Sequence, residues 1–262
     1  SAYPYFYADE KVSQCIEELK DYSEDSLPVL NRDNKVIGAI TSSELVDVVD
    51  SELGDDYAKL AGLTHEEDLE EPVLKSAAKR LPWLLLLMGL GLVVSTLINS
   101  FQAVQVALPI LFTFQSLILD MSGNGGTQSL AVTIRVISST TLDAKEVWRL
   151  LLKEMRVGLL NGAVLGVAAT VVCTGFIMVA QKLTFTVSLA YASCIGVSLF
   201  IAIFFSALGG TLIPLFFKKI KIDPAVASGP LITTVNDLVS ATIYYTLANV
   251  FLIGLMGLGV IA

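Results

Sequence analysis

The chain has 262 residues, 54% of them hydrophobic, a mean hydropathy of +0.69 and a formal net charge of −8. It is too apolar for a soluble globule and too charged to lie wholly within a membrane. Its charge is divided: residues 1–75 hold 19 of the 25 acidic and 6 of the 17 basic side chains, so an acidic head suited to cations, and ill suited to nucleic acid, precedes an apolar remainder.

The single histidine, His65, lies in an acidic run, and no phosphate-binding loop is evident, so the residues of an enzyme are missing. Cys15, Cys173 and Cys194 are odd in number and lack metal-ligand spacing, which reads as three reduced, structural thiols. Ser1 to Tyr7 has neither a basic start nor a long apolar run, so no signal peptide is expected there.

Residues 1–53 read as α/β. Glu10 to Lys20 places Val12, Cys15, Ile16 and Leu19 at helical spacing. Leu27 to Leu30 is a short strand, Asn31 to Asn34 a turn, and Lys35 to Ile40 a second strand. Thr41 and Glu44 form a capping-box pattern ahead of a helix with Leu45, Val48 and Val49 on one face. This order of elements resembles the second half of a CBS-domain pair. One such unit is small for an independent core, so a preceding portion of the protein, or a second copy, is expected to complete it.

Ser51 to Arg80 is a charged connector, with Glu52, Asp55, Asp56, Glu66, Glu67, Asp68, Glu70 and Glu71 close together. Such a run is usually a solvated helix face. Leading into a membrane, it could also bind hard divalent ions between its carboxylates. The segment 54–80 is therefore expected to be an acidic, plug-like connector helix.

From residue 81 onward the chain reads as a transmembrane domain of five helices, at Pro82–Ile98, Val104–Leu119, Val157–Ala180, Val187–Phe217 and Leu231–Ala262. Leu142 to Arg156, with Trp148, Leu151, Leu152 and Met155 opposite Lys145, Arg149 and Lys153, reads as an interfacial amphipathic helix. Basic clusters at Lys75/Lys79/Arg80, Arg135 to Arg156 and Lys218/Lys219/Lys221 fall on one side, and the opposite loops hold only Lys182. By the positive-inside rule the head lies in the cytoplasm and the C-terminus outside the cell, as in an integral protein of the plasma membrane. Gly158, Gly162 and Gly166 form a small-residue ridge for close helix packing, within or between protomers. Five helices are few for a whole pathway, so a homodimer is the economical arrangement.

Asp237 has about ten mostly apolar or small residues before it and over twenty after it, well inside a membrane-length run. A carboxylate there costs roughly 2.5–3.5 kcal/mol even on lenient scales, and is tolerated beside a water-filled path or a cation. Thr233 and Gly229 lie four and eight residues before it on the same helical stripe. Asp120 precedes Ser122-Gly-Asn-Gly-Gly-Thr-Gln128, whose glycines are expected to break the helix and free carbonyl oxygens beside Asn124 and Thr127. Oxygen ligands without His or Cys suit Mg²⁺ or Ca²⁺, and Mg²⁺ that keeps most of its water suits one carboxylate per protomer. Plainer readings stand beside these: a tight turn for the glycine run, a proton-relay or ion-pair role for Asp237, and an interfacial or capping role for Asp120.

Arg80-Leu-Pro-Trp-Leu84, the GNGGTQ run from Gly123, GLLNGAVLG from Gly158 and IDPAVASGPLITTVNDLVSATIYY from Ile222 together resemble the MgtE family of magnesium channels. The resemblance implies a homodimer of five-helix protomers with a Mg²⁺-selective pore on the dimer axis, and a cytoplasmic CBS sensor that closes it through the connector when Mg²⁺ is abundant. Asp237 would be the pore carboxylate, with Gly123, Asn124, Thr127, Gly229 and Thr233 lining the ion site. Asp47, Glu52, Asp55 and Asp56 match acidic positions of the regulatory interface, and CBS modules of the family also bind adenine nucleotides. The chain departs from some relatives at Thr127 and Gly229, which replace Asn, at Asp120, which replaces Gly, and at Ser13 and Ser23, which replace acidic residues. An exchanger that moves a divalent ion against Na⁺ or H⁺ is the alternative that the same residues allow.

Overall fold

The computed structural model describes residues 5–10, 26–65, 67–139 and 143–257, apart from the side chains of residues 42, 45, 46, 48, 49, 52, 138 and 139. Residues 11–20 of the expected helix from Glu10 to Lys20, Ser13 and Cys15 among them, and Ser23 beyond it lie outside the described residues.

In the head, β1 (Phe6–Tyr7) runs parallel to β2 (Ser26–Leu30), which pairs antiparallel with β3 (Val36–Thr41). The turn between β2 and β3 closes because Asn31 Oδ1 accepts the backbone N–H groups of Asp33 and Lys35, both at 3.0 Å. Phe6, Leu27 and Ile40 make the small core beneath this sheet. α1 (Ser42–Leu60) then starts on the expected capping box: Glu44 N–H donates to Thr41 Oγ1, and Thr41 N–H donates back to Glu44 Oε2.

The connector is not a single helix. It comprises the end of α1, a loop over 61–72 and the start of α2 (Val73–Ser100). Arg80 Nε and Nη2 clamp Glu67 at 2.9 and 2.8 Å, and Lys75 and Lys79 both reach Glu71 Oε1 at 2.8 Å, so charged pairs tie the loop to the first turns of α2.

Beyond α2 come a short α3 (Gln102–Ala107), α4 (Pro109–Ser139), α5 (Ala144–Ala180), α6 (Phe185–Lys219) and α7 (Gly229–Leu247), which continues as a π-helix over Ala248–Leu255. Among the described residues four helices are long and apolar enough to cross a membrane: α2, α5, α6, and α7 with its continuation. The chain is thus an integral membrane protein, mainly helical, with a small α/β head. α6 is the centre of the bundle and packs against α4, α5 and α7, while α2 touches chiefly α7. Leu84, Leu85, Met88 and Leu92 of α2 consequently stay exposed, as befits a lipid-facing helix.

Three expectations are corrected. α4 is one unbroken 31-residue helix through the glycine run, because tertiary contacts outweigh the helix cost of glycine, about 1 kcal/mol each. The expected interfacial helix at Leu142–Arg156 is the first part of the 37-residue α5, started by an Asp143/Glu146 capping box and continuous with the span after it. The expected second span from Val104 is not found as such: Val104 lies in the short α3, set off by breaks at Phe101 and Leu108, and α4 from Pro109 is not among the four spanning helices, its run being interrupted by polar and small residues. The ridge of Gly158, Gly162 and Gly166 is used within the chain. A methyl group at Gly162 would stand 2.8 Å from Phe200 O, and one at Gly166 2.7 Å from Gly196 O, so α5 and α6 meet backbone to backbone. Cys173 and Cys194 are free and buried, as expected of structural thiols.

Candidate functional site

α4 and α7 lie antiparallel, and this brings most of the expected pore residues together. A Cβ at Gly123 would stand 2.8 Å from Thr233 Cγ2, and a Cβ at Gly229 would stand 3.6 Å from Thr127 Cγ2. One turn further along the two helices stand Asp120, three residues before Gly123, and Asp237, four after Thr233. Three rungs result: Thr127 with Gly229, Gly123 with Thr233, and Asp120 with Asp237. The sequence suggests each stripe separately; their register comes only from the fold.

The polar atoms of this ladder are arranged locally. Thr233 Oγ1 donates to Gly229 O and Thr127 Oγ1 to Asn124 O, both at 3.0 Å, while Asn124 Nδ2 donates to Asp120 Oδ2 at 3.3 Å. Asp120 and Asn124 are exposed, and Thr127, Gly229, Thr233 and Asp237 are half-buried. A polar face with two carboxylates therefore lies open on the side of the chain. Lipid tails offer it no partner, so the physics calls for water, a cation or another protein surface against it. Among the described residues no three His, Cys, Asp or Glu side chains gather to hold a metal. Two carboxylates and several neutral oxygens suit a cation that keeps much of its water.

Behind this face lies a buried polar network that the sequence reading missed. Asn236, only 2% exposed, donates from Nδ2 to Ser206 Oγ at 2.7 Å; Ser206 Oγ donates to Ser122 O; and Ser240 Oγ donates to Ser122 Oγ at 2.6 Å. Gly126 makes room for it, since a Cβ there would clash with Asn236 Nδ2 and come within 2.7 Å of Ser206 Oγ. Asn236 locks the rotation of α7 and so fixes where its neighbour Asp237 points. Short polar residues in apolar helices at 206, 236 and 240 were the available signal. Glu154 of α5 was also missed: it is 4% exposed and accepts a hydrogen bond from Ser129 Oγ at 2.9 Å.

The head reaches the same place. Lys59, near the end of α1, pairs with Asp223 at 2.7 Å, and the carboxylate raises the lysine pKa above its usual value. Trp83 Nε1 donates at 2.8 Å to Ser228 Oγ, the N-cap of α7, while Gly62, at φ +86°, lets the chain turn against the Trp83 ring. A Cβ at Gly229 would stand 3.6 Å from Leu60 O, so α1 ends on the first rung of the ladder. Of the expected regulatory residues, Asp55 and Asp56 are half-buried and near enough to Lys59 to act on its charge. Asp47 is exposed on α1, and the side chain of Glu52 lies outside the described residues.

Residues 115–247, which contain every rung of the ladder, match the family MgtE, described as divalent cation transporter. The chain belongs to the MgtE family. Residues 1–51 match the CBS domain. Over 243 residues, 93% of this chain, it is 40% identical to a magnesium transporter MgtE of Enterococcus faecalis and 34% identical to one of Bacillus subtilis. It is 29% identical over 254 residues to the magnesium transporter MgtE of Thermus thermophilus, a match covering 95% of this chain and 53% of that protein. The chain spans about half the length of these curated relatives. The family's description and the names of these relatives are all of transport.

Proposed function

We propose that this chain forms the membrane part of a Mg²⁺ channel in which two copies set their α4/α7 faces together around one pore. The observation that carries the reading is the open polar ladder with Asp120 and Asp237, on helices otherwise built for lipid. A second copy across the face buries it and doubles the carboxylates, and a hydrated Mg²⁺ between them offsets their repulsion. α4, although less apolar than the other four, is the fifth span of each protomer, its polar residues facing the pore. Asp237 and Asp120 hold the ion's water, and Thr233, Thr127, Asn124, Gly123 and Gly229 supply neutral oxygens or the room for water to pass. The MgtE names of its relatives support Mg²⁺ as the ion.

Gating follows from the end of α1. Leu60 abuts Gly229 at the mouth of the ladder, so a displacement of α1 is passed directly to α7. Mg²⁺ bound among Asp47, Glu52, Asp55 and Asp56 would draw the acidic helix towards the membrane domain and close the mouth; loss of the ion would release it. The basic residues at the same end favour a cytoplasmic head and mouth by the positive-inside rule.

The experiment is Mg²⁺ entry into proteoliposomes driven by membrane potential alone, with Na⁺ and pH matched across the membrane. Entry under those conditions supports the channel. Entry that begins only when a Na⁺ or H⁺ gradient is imposed overturns it in favour of the exchanger.

A further inference from the structure

One charged surface has no part in the ion path. On α5, Lys145, Arg149, Lys153 and Arg156 follow one another at steps of four, four and three residues, so they share one side of the helix. They line a groove of about 580 Å³ together with Trp148, Leu152 and Val157. All four cations are exposed, and none is paired with a carboxylate among the described residues. The nearby acids are engaged elsewhere: Asp143 and Glu146 in the helix cap, and buried Glu154 with Ser129.

The groove's height relative to the bilayer follows from the helix. Val157 to Ala180 is an uninterrupted stretch without charge, about 36 Å long at 1.5 Å per residue, against a hydrocarbon core about 30 Å thick. Arg156 and Lys153 thus stand where hydrocarbon gives way to headgroups, and Lys145 lies roughly 16 Å from Arg156 along the axis. Trp148, 59% exposed, has the amphipathic ring favoured at that level. Val157 gives the groove an apolar wall at its membrane end and Leu152 another between the cations, surfaces that a free anion would not use.

We propose that this groove seats the headgroup of an anionic phospholipid, its phosphate between Arg149, Lys153 and Arg156 and its glycerol end over Leu152 and Val157. Charge complementarity and position select a lipid of this class over a zwitterionic one, whose own cation would meet the arginines.

The test uses the full chain in nanodiscs of phosphatidylcholine with a minor share of phosphatidylglycerol, released for native mass spectrometry. The parent is expected to retain phosphatidylglycerol over phosphatidylcholine by roughly tenfold. The triple variant Arg149→Gln/Lys153→Gln/Arg156→Gln is expected to lose that preference, and Arg135→Gln/Lys219→Gln/Lys221→Gln, which removes the same charge elsewhere at this end, to keep it. Should the triple variant fail to fold, Arg149→Gln alone is read in the same way, with a smaller loss expected. Equal loss in both triple variants would overturn the groove in favour of diffuse charge attraction. So would displacement of the lipid by excess inorganic phosphate, which would mark a free-anion site.

Discussion

Gly126 and Gly125 are neighbours in the glycine run, and the structure gives them opposite fates. A methyl group at position 126 would overlap Asn236 Nδ2, stand 2.7 Å from Ser206 Oγ and 3.0 Å from Ile232 Cγ2, all in a region closed to solvent. Forcing a methylene into such a core costs about 1–3 kcal/mol, and pushing Asn236 off Ser206 loses a buried hydrogen bond worth about 1 kcal/mol more. Gly126→Ala is therefore expected to destabilise the fold by about 2–4 kcal/mol. At Gly125 the nearest neighbour to an added methyl is Ile203 Cγ2 at 3.7 Å, an ordinary contact. Gly125→Ala should then be neutral, or gain up to about 1 kcal/mol from helix propensity. Thermal unfolding of each variant in the same detergent, followed by loss of helical circular dichroism, separates the two. Equal destabilisation at both positions would refute close packing as the reason for the run and restore the broken helix.

Two further predictions concern the junction between head and membrane. Lys59→Gln and Asp223→Asn should each speed amide hydrogen exchange at the end of α1, and the double variant should add little, with a coupling of about 0.2–1 kcal/mol for a partly exposed pair. The Glu67 and Glu71 carboxyls are held below the usual carboxylate range, by Arg80 and by Lys75 with Lys79 respectively. Because the folded value is the lower one, their contribution is present above the ordinary carboxylate pKa and is lost as pH falls through the depressed value. Protection in the 61–72 loop, measured against the intrinsic exchange rate at each pH, should thus fall on acidification below about pH 4, and Glu67→Gln/Glu71→Gln should remove most of that pH dependence.

Much of this molecule was legible in the sequence, and the failures share a cause. Four of the five long apolar runs, the Thr41 capping box and the Asn31 turn are local features, and they appear where expected. Judged alone, the glycine run signals a break; the reason it stays helical, the approach of Asn236 and Ser206 to Gly126, lies 80 or more residues away in the chain. Polar residues led partly astray as well. Asp237 stood out as a charge at membrane depth, whereas Asn236 beside it drew no notice, yet the asparagine fixes the helix that carries the aspartate. The pairing of Asp120 with Asp237 depends on the register between two antiparallel helices, which neither stripe reveals. Trp83 was noted as part of a motif; its role, holding the cap of α7, needed the fold.

The central claim is that ions cross along the α4/α7 face past Asp237. Its most direct test compares potential-driven Mg²⁺ flux through the parent chain, Asp237→Asn and Asp120→Asn, each reconstituted at equal density and checked for intact fold. The account predicts flux in the parent, near-complete loss in Asp237→Asn, and a partial loss in Asp120→Asn, the more exposed of the pair. Parent-level flux through Asp237→Asn would contradict it and remove this face from the path.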